Sequence, residues 1–289
     1  MRRARPLLGT IVEVTAEGAG DASLAAIEAA FASIAQVQRL MSFHDASSDV
    51  SRINSATAGE AVIIDPHTSR VLCSARTLSD LSDGAFDVTT APVLVENAYL
   101  PDRSDQAMPD ATYRDLDLLP GDRVCWRRKG WIDLGGIAKG YAVDCAVAAL
   151  RAHGAAAGVV NAGGDLRCFG AAQPVHVRHP CAPMRLVPVG WLADAALATS
   201  AGYFSGIDGA GGQIDPLVDP GRRRCVSWEV SLSVAARDCT TADALTKVVR
   251  LRPDIAPEIL LRCGAQALVI DHQGLRSCGH PLLAGELRG

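Results

Sequence analysis

Between Trp131 and Asp144 the chain reads WIDLGGIAKGYAVD, and no other stretch constrains the fold as much. A short apolar run ends in an acid, passes through Gly135 and Gly136, and leaves through Lys139 into an Ala-rich pattern. This order predicts a strand, a turn of bare backbone and a helix start. Glycines let backbone groups approach a ligand closely, and a helix N-terminus offers unpaired N–H groups and positive dipole to a phosphate. Asp133 and Lys139 add one charge of each sign to the turn. Neither G-x-x-x-x-G-K-[ST] nor G-x-G-x-x-G is present, so a ligand site and a tight strand-to-helix connection both remain open at this point.

The remaining elements are read around that turn. Ile11 to Val14 alternates as a half-buried strand, and Asp21 to Leu40 repeats apolar residues at three and four, as an amphipathic helix does. The Ser- and Asp-rich MSFHDASSDVSRINSA follows as a loop, either ligand-holding or simply solvated. A second helix is predicted from Thr68 to Leu81, then GAFDVTTAPVL, where Asp87 between Phe86 and Val88 must face water or have a dedicated partner. Residues 96–130 read as a variable, mainly surface connection with short strands. Short strands follow from Gly158, among them VHVRHP, VPVGWLAD and ALATSAGYF, and 206–224 reads as loop. VSLSVAARDCTTADALTKVVRL turns strand into helix, with Thr240 or Thr241 as cap and Asp243 in the first turn. Strands and helices mix without a βαβ rhythm, which predicts an α+β fold in a single domain over 1–289.

Composition excludes several classes of function. A net charge of -4 and 4% aromatic residues leave neither a basic face nor a stacking platform for nucleic acid. The nine cysteines are odd in number and form no C-x-x-C pair, which argues against a zinc site or disulfide framework and for a reducing compartment. The N-terminal MRRARPLLGTIVEV lacks an apolar signal core, and no stretch reaches membrane-spanning length; a cytoplasmic location is expected for the chain as written.

With these pieces in place, the order of motifs resembles the ApbE family, the FAD:protein FMN transferases. LLGT, MSFHDASSDVSRIN, GAFDVTTAP, IDLGGIAKGYAVD, NAGGDLRCFG, ALATS, LVDP and SVAARDCTTADAL stand in the family's order. The resemblance implies an α+β arrangement of mixed sheets and helices around a flavin-binding cleft. It places Phe43, Ala85, Phe86, Asp87, Asp133 and Lys139 at FAD-binding positions, with Leu8 and Val218 aligned beside them. It further implies Mg²⁺ held by the Gly136 carbonyl and Asp243, oxygen ligands of the kind a hard cation takes. The implied reaction is phosphoryl transfer: a Thr or Ser hydroxyl of an acceptor protein attacks the FMN-side phosphorus of FAD, and AMP leaves. Members of this family are often exported, in contrast to the location expected here.

Two residues depart from the family pattern. Pro216 stands where the family carries a histidine, leaving Asp215, His44 or His179 as substitute bases. Lys247 stands four residues after Asp243, where the family carries a threonine ligand; Thr246 is one position early, a rotation of about 100° on a helix. Lys247 is therefore expected either to set its ammonium where the ion would sit, or to form an ordinary surface pair with Asp243. Three activities follow from the resemblance and its departures: the transferase, a non-catalytic FAD-binding protein, or a pyrophosphatase giving FMN and AMP. Acceptor choice is expected to lie in surface loops such as 96–130.

Overall fold

A computed structural model describes the whole chain except residues 19–20, 104–106, 201–206, 210–211, 227–229 and 285–289. The α-helices among the described residues are α1 (Asp21–Met41), α2 (Asp49–Ser55), α3 (Pro66–Leu81), α4 (Ala91–Glu96), α5 (Ala138–Ala152), α6 (Cys239–Leu251) and α7 (Ala256–Arg262). The chain divides into two compact units, the first formed by Met1–Gln38, Lys139–Phe204 and Trp228–Gly289, the second by Arg39–Ala138 and Ser205–Ser227.

The first unit is built on an eight-stranded sheet whose strands run, in spatial order, Arg2–Leu7, Thr10–Ala16, Gly158–Ala162, Asp165–Phe169, Ala196–Ser200, Ser231–Ala236, Gln266–Asp271 and Gly274–Gly279. Every neighbouring pair is antiparallel. Ser231–Ala236 is buried at all its positions, as a strand covered on both faces must be, and α6 packs across it and Ala196–Ser200. Leu7 pairs with Thr10, so Leu8 and Gly9 alone make the first turn; their positive φ values of 55° and 70° are what a two-residue hairpin demands. Ala162 pairs with Asp165 in the same way, and Gly163 and Gly164 turn the chain with φ of 66° and 106°. The second glycine pair of the sequence is thus a hairpin turn that delivers Asp165 to the start of a strand.

The second unit holds α2, α3 and α4, a three-stranded sheet ordered Ala61–Ile63, Arg123–Trp126, Leu116–Leu119, and two small hairpins, Ile207–Gly209 with Gly212–Ile214 and Leu217–Asp219 with Arg224–Val226. Trp126 is 1% exposed and donates its indole N–H to the Ile53 carbonyl at 2.9 Å.

Several local expectations change. The strand expected at Ile11–Val14 is Thr10–Ala16, and a further strand, Arg2–Leu7, precedes it. Residues 131–134 form no strand: Asn54 takes the place of a neighbouring strand, accepting from the Ile132 N–H at 2.8 Å and donating to the Ile132 carbonyl at 2.9 Å, while the Asp133 N–H donates to the Val88 carbonyl. The loop after α1 contains α2, started by Ser48, whose hydroxyl accepts the Ser51 N–H at 2.9 Å. Stretch 96–130 has the short strands expected of it but also contributes core residues Tyr113, Leu116 and Trp126, and the described residues of the stretch read as loop over 206–224 take part in two hairpins. Asp238, not a threonine, caps α6, so Asp243 falls beyond its first turn. The strand expected over ALATSAGYF is Ala196–Ser200; its last residues lie outside the described ones.

Candidate active site

Four charged side chains of the first unit alternate in sign. Lys139, in the first turn of α5, places Nζ 2.5 Å from Oδ2 of Asp165, whose side chain is 2% exposed. Lys247 pairs with Oδ1 of Asp243 one turn earlier on α6 and also donates to the Asp243 carbonyl at 2.9 Å. Asp243 Oδ2 accepts the Gly140 backbone N–H at 3.1 Å. Burial works against the Lys139 charge, but the Asp165 and Asp243 carboxylates outweigh it and hold the ammonium above its usual range. Burial pushes Asp165 up, as does Asp243, against the pull of Lys139 and Lys247.

Helices α5 and α6 meet at this group. A Cβ on Gly140 would stand 2.2 Å from the Cys239 carbonyl oxygen, so only glycine allows the approach. Asp144, one turn further along α5, accepts the Cys239 and Thr240 N–H groups at 2.9 and 2.8 Å and the Thr240 hydroxyl at 2.6 Å, and pairs with Arg167. This carboxylate satisfies donors at the start of α6 that the helix itself cannot. Thr246 donates its hydroxyl to the Asp243 carbonyl at 2.7 Å and lies 2.8 Å from the Ser200 hydroxyl.

The second unit carries the other expected ligand positions. Asp133 closes a small turn by accepting the Gly135 N–H at 3.0 Å, and Gly136 follows in the same turn. Burial raises the Asp133 carboxyl, while the Gly135 N–H and His44 pull it down. Phe43 is buried, and Arg103 lies 5.7 Å from the centre of its ring and 5.7 Å from that of Trp131, donating also to the Ser55 hydroxyl. The turn after α3 sets Ala85 and Phe86: their N–H groups donate to the Ser82 carbonyl and hydroxyl. Asp87 has dedicated partners, accepting from the Thr89 N–H and hydroxyl at 2.8 and 2.7 Å and from the Tyr113 N–H at 3.1 Å. Burial nevertheless raises its carboxyl, against these bonds and the Arg223 charge.

Val218 is buried with Val93 and Leu94, and Leu8, in the first hairpin turn, donates its N–H to the Gln38 side chain. Asp215 is 1% exposed in the second unit, whereas His179 belongs to the first unit, where its ring accepts the Cys181 N–H. Asp165 and Arg103 were not singled out from the sequence. Asp165 stands in the quoted NAGGDLRCFG motif, but its pairing with Lys139, 26 positions away, leaves no local signal; Arg103 lies in a stretch without a readable pattern.

A family model described as the ApbE family matches residues 8–268. Curated relatives named FAD:protein FMN transferase include one from Vibrio cholerae, 27% identical over 231 residues, which span 73% of this chain and 68% of that protein. Another, from Rhodobacter capsulatus, is 28% identical over 282 residues, and the match spans 91% of this chain but about half, 54%, of the relative. Among solved structures, the ApbE protein of Thermotoga maritima superposes with a TM-score of 0.84 at 25% identity, covering 96% of each chain. The apo flavinyl transferase ApbE of Pseudomonas stutzeri shares the fold, with a TM-score of 0.79 at 22% identity over 99% of this chain and 98% of the other.

Proposed function

Because the chain belongs to the ApbE family, we propose that it is an FAD:protein FMN transferase, moving FMN from FAD to a Thr or Ser hydroxyl of an acceptor protein and releasing AMP. The observation that carries this reading is the Lys139–Asp165 pair: a fixed ammonium in the first turn of a helix that follows a paired-glycine turn. Such a group suits a diphosphate, because a lysine is a point charge for phosphate and the helix start adds its dipole. A buried carboxylate holds that ammonium in place and limits the freedom lost when the ligand binds.

In the reaction, the acceptor oxygen forms a bond to the FMN-side phosphorus as the bond from that phosphorus to the bridging oxygen breaks. AMP departs with the bridging oxygen, and the hydroxyl proton goes to a base. In this reading Lys139 stabilises charge on the phosphoryl oxygens, the kind of electrostatic contribution on which such a transfer depends. We assign Asp215 as the base, the buried carboxylate next to Pro216. Phe43, Ala85, Phe86, Asp87 and Asp133 are the flavin-binding positions of this reading, with Leu8 and Val218 at its margin.

Mg²⁺ is the ion that the resemblance implies on the Gly136 carbonyl and Asp243. The residues around Asp243 do not fit it: one carboxylate oxygen holds the Lys247 ammonium, the other the Gly140 N–H, and the side chain is 1% exposed. Among the described residues no group of three or more His, Cys, Asp or Glu side chains could hold a metal ion.

AMP release from FAD, with and without an acceptor protein, tests the proposal. Release that requires the acceptor is the expected result; equal release without it would make the protein a pyrophosphatase, and binding without release a flavin-binding relative.

A further inference from the structure

The pairing of Lys247 with Asp243 is not a surface ion pair of the usual weak kind. Exposed lysine–carboxylate pairs at i,i+4 contribute little because water screens them. Here the lysine side chain is 17% exposed and its carboxylate 1%. A buried carboxylate demands a partner charge, and the ammonium supplies it from the next turn of α6.

The surroundings leave a divalent ion no place to take that role. Lys139 and Lys247 together match Asp165 and Asp243, so the group of four is already neutral, and a divalent ion added at Asp243 would meet the Lys247 ammonium already paired there. Nor does Thr246 offer its hydroxyl in compensation, since it is engaged with the Asp243 carbonyl and Ser200. The Gly140 N–H on the second oxygen ties Asp243 to the first turn of α5, so the acid serves as the joint between the two helices.

We propose that the Lys247 ammonium is a resident cation, neutralising Asp243 in place of a divalent metal, so that this site takes the diphosphate of its nucleotide without a metal ion. A tethered ammonium is present at full occupancy at any concentration of free metal. It also coordinates nothing, which leaves the charge on the phosphoryl oxygens to be met by Lys139. The expected signature is nucleotide binding that is indifferent to chelators.

Two measurements test this, the first resting on the nucleotide reading of the site and the second independent of it. In the first, FAD is titrated against the wild-type protein and followed by quenching of flavin fluorescence, in EDTA and in excess Mg²⁺. Affinities within about twofold of each other are expected, whereas tenfold weaker binding in EDTA overturns the proposal. The Lys247→Thr variant is expected to bind at least tenfold more weakly in EDTA and to recover in Mg²⁺; a variant indifferent to both overturns it. In the second, Mn²⁺ uptake is followed by the electron paramagnetic resonance of the free ion, without flavin. Wild type is expected to take up none, and stoichiometric uptake overturns the proposal. Failure of FAD to bind under every condition removes the transferase reading, while the Mn²⁺ measurement still decides the role of Lys247.

Discussion

The backbone N–H of Gly140 donates to the Asp243 carboxylate at 3.1 Å, and it does so because residue 140 has no side chain. A methyl group there would lie 2.2 Å from the Cys239 carbonyl oxygen and 2.9 Å from the Asp243 Cβ, both on α6. Replacing Gly140 with alanine must therefore push the start of α5 away from α6. The expected cost is about 3 kcal/mol, the upper part of the range for overpacking, because the obstructing atoms include backbone. Urea unfolding of Gly140→Ala measures it, and a change below about 1 kcal/mol would show that the helices separate freely.

Asp144 gives a second prediction about the same junction. Its side chain is 14% exposed, and removing it leaves Arg167 and the Cys239 and Thr240 N–H groups without their acceptor. Breaking a buried charge pair from one side costs roughly 3–5 kcal/mol. Asp144→Ala is expected to fall in that range in denaturant unfolding.

The Lys139–Asp165 pair is open to a double-mutant cycle with Lys139→Met and Asp165→Asn. The lysine side chain is 36% exposed, so solvent screens the pair and the coupling is expected near the middle of the usual range, roughly 1–2 kcal/mol. Either single change is expected to weaken FAD binding, and the double change is not expected to restore it. Restored binding would show that the pair serves folding alone.

Asp87 predicts a pH dependence. Burial raises its carboxyl above the ordinary 3.8 despite its three hydrogen bonds. A carboxyl raised on folding binds its proton more tightly in the native state. Its contribution is greatest below the unfolded value, falls as pH rises through the window up to the folded value, and is flat above it. Thermal unfolding across that window is expected to show this slope in wild type and to lose it in Asp87→Asn. An unchanged slope would assign the pH dependence elsewhere.

How far the sequence revealed these features depended on the range of the forces involved. Helix α1 was legible because its apolar spacing is a local property of the chain, and so was the glycine turn before α5. The strand expected at Trp131 to Asp133 was not there, because Asn54, 78 residues away, satisfies the Ile132 backbone. Helix α2 was hidden in a Ser- and Asp-rich stretch that looked solvated; its Asp49 is buried and accepts from the Asp65 N–H and the Thr68 hydroxyl. At the candidate site, Lys247 and Asp243 stood out in the sequence as four residues apart on one helix. What could not be read there was their burial, which separates a resident cation from a surface pair.

The transferase reading is tested most directly by incubating the protein with FAD and an acceptor domain that the Vibrio cholerae relative flavinylates, with that relative as positive control. Flavin fluorescence on a denaturing gel and released AMP are measured together. A fluorescent acceptor band and AMP in equal amount are expected, with no AMP when the acceptor is omitted. An unlabelled acceptor beside a labelled control, or AMP released at the same rate without acceptor, would contradict it.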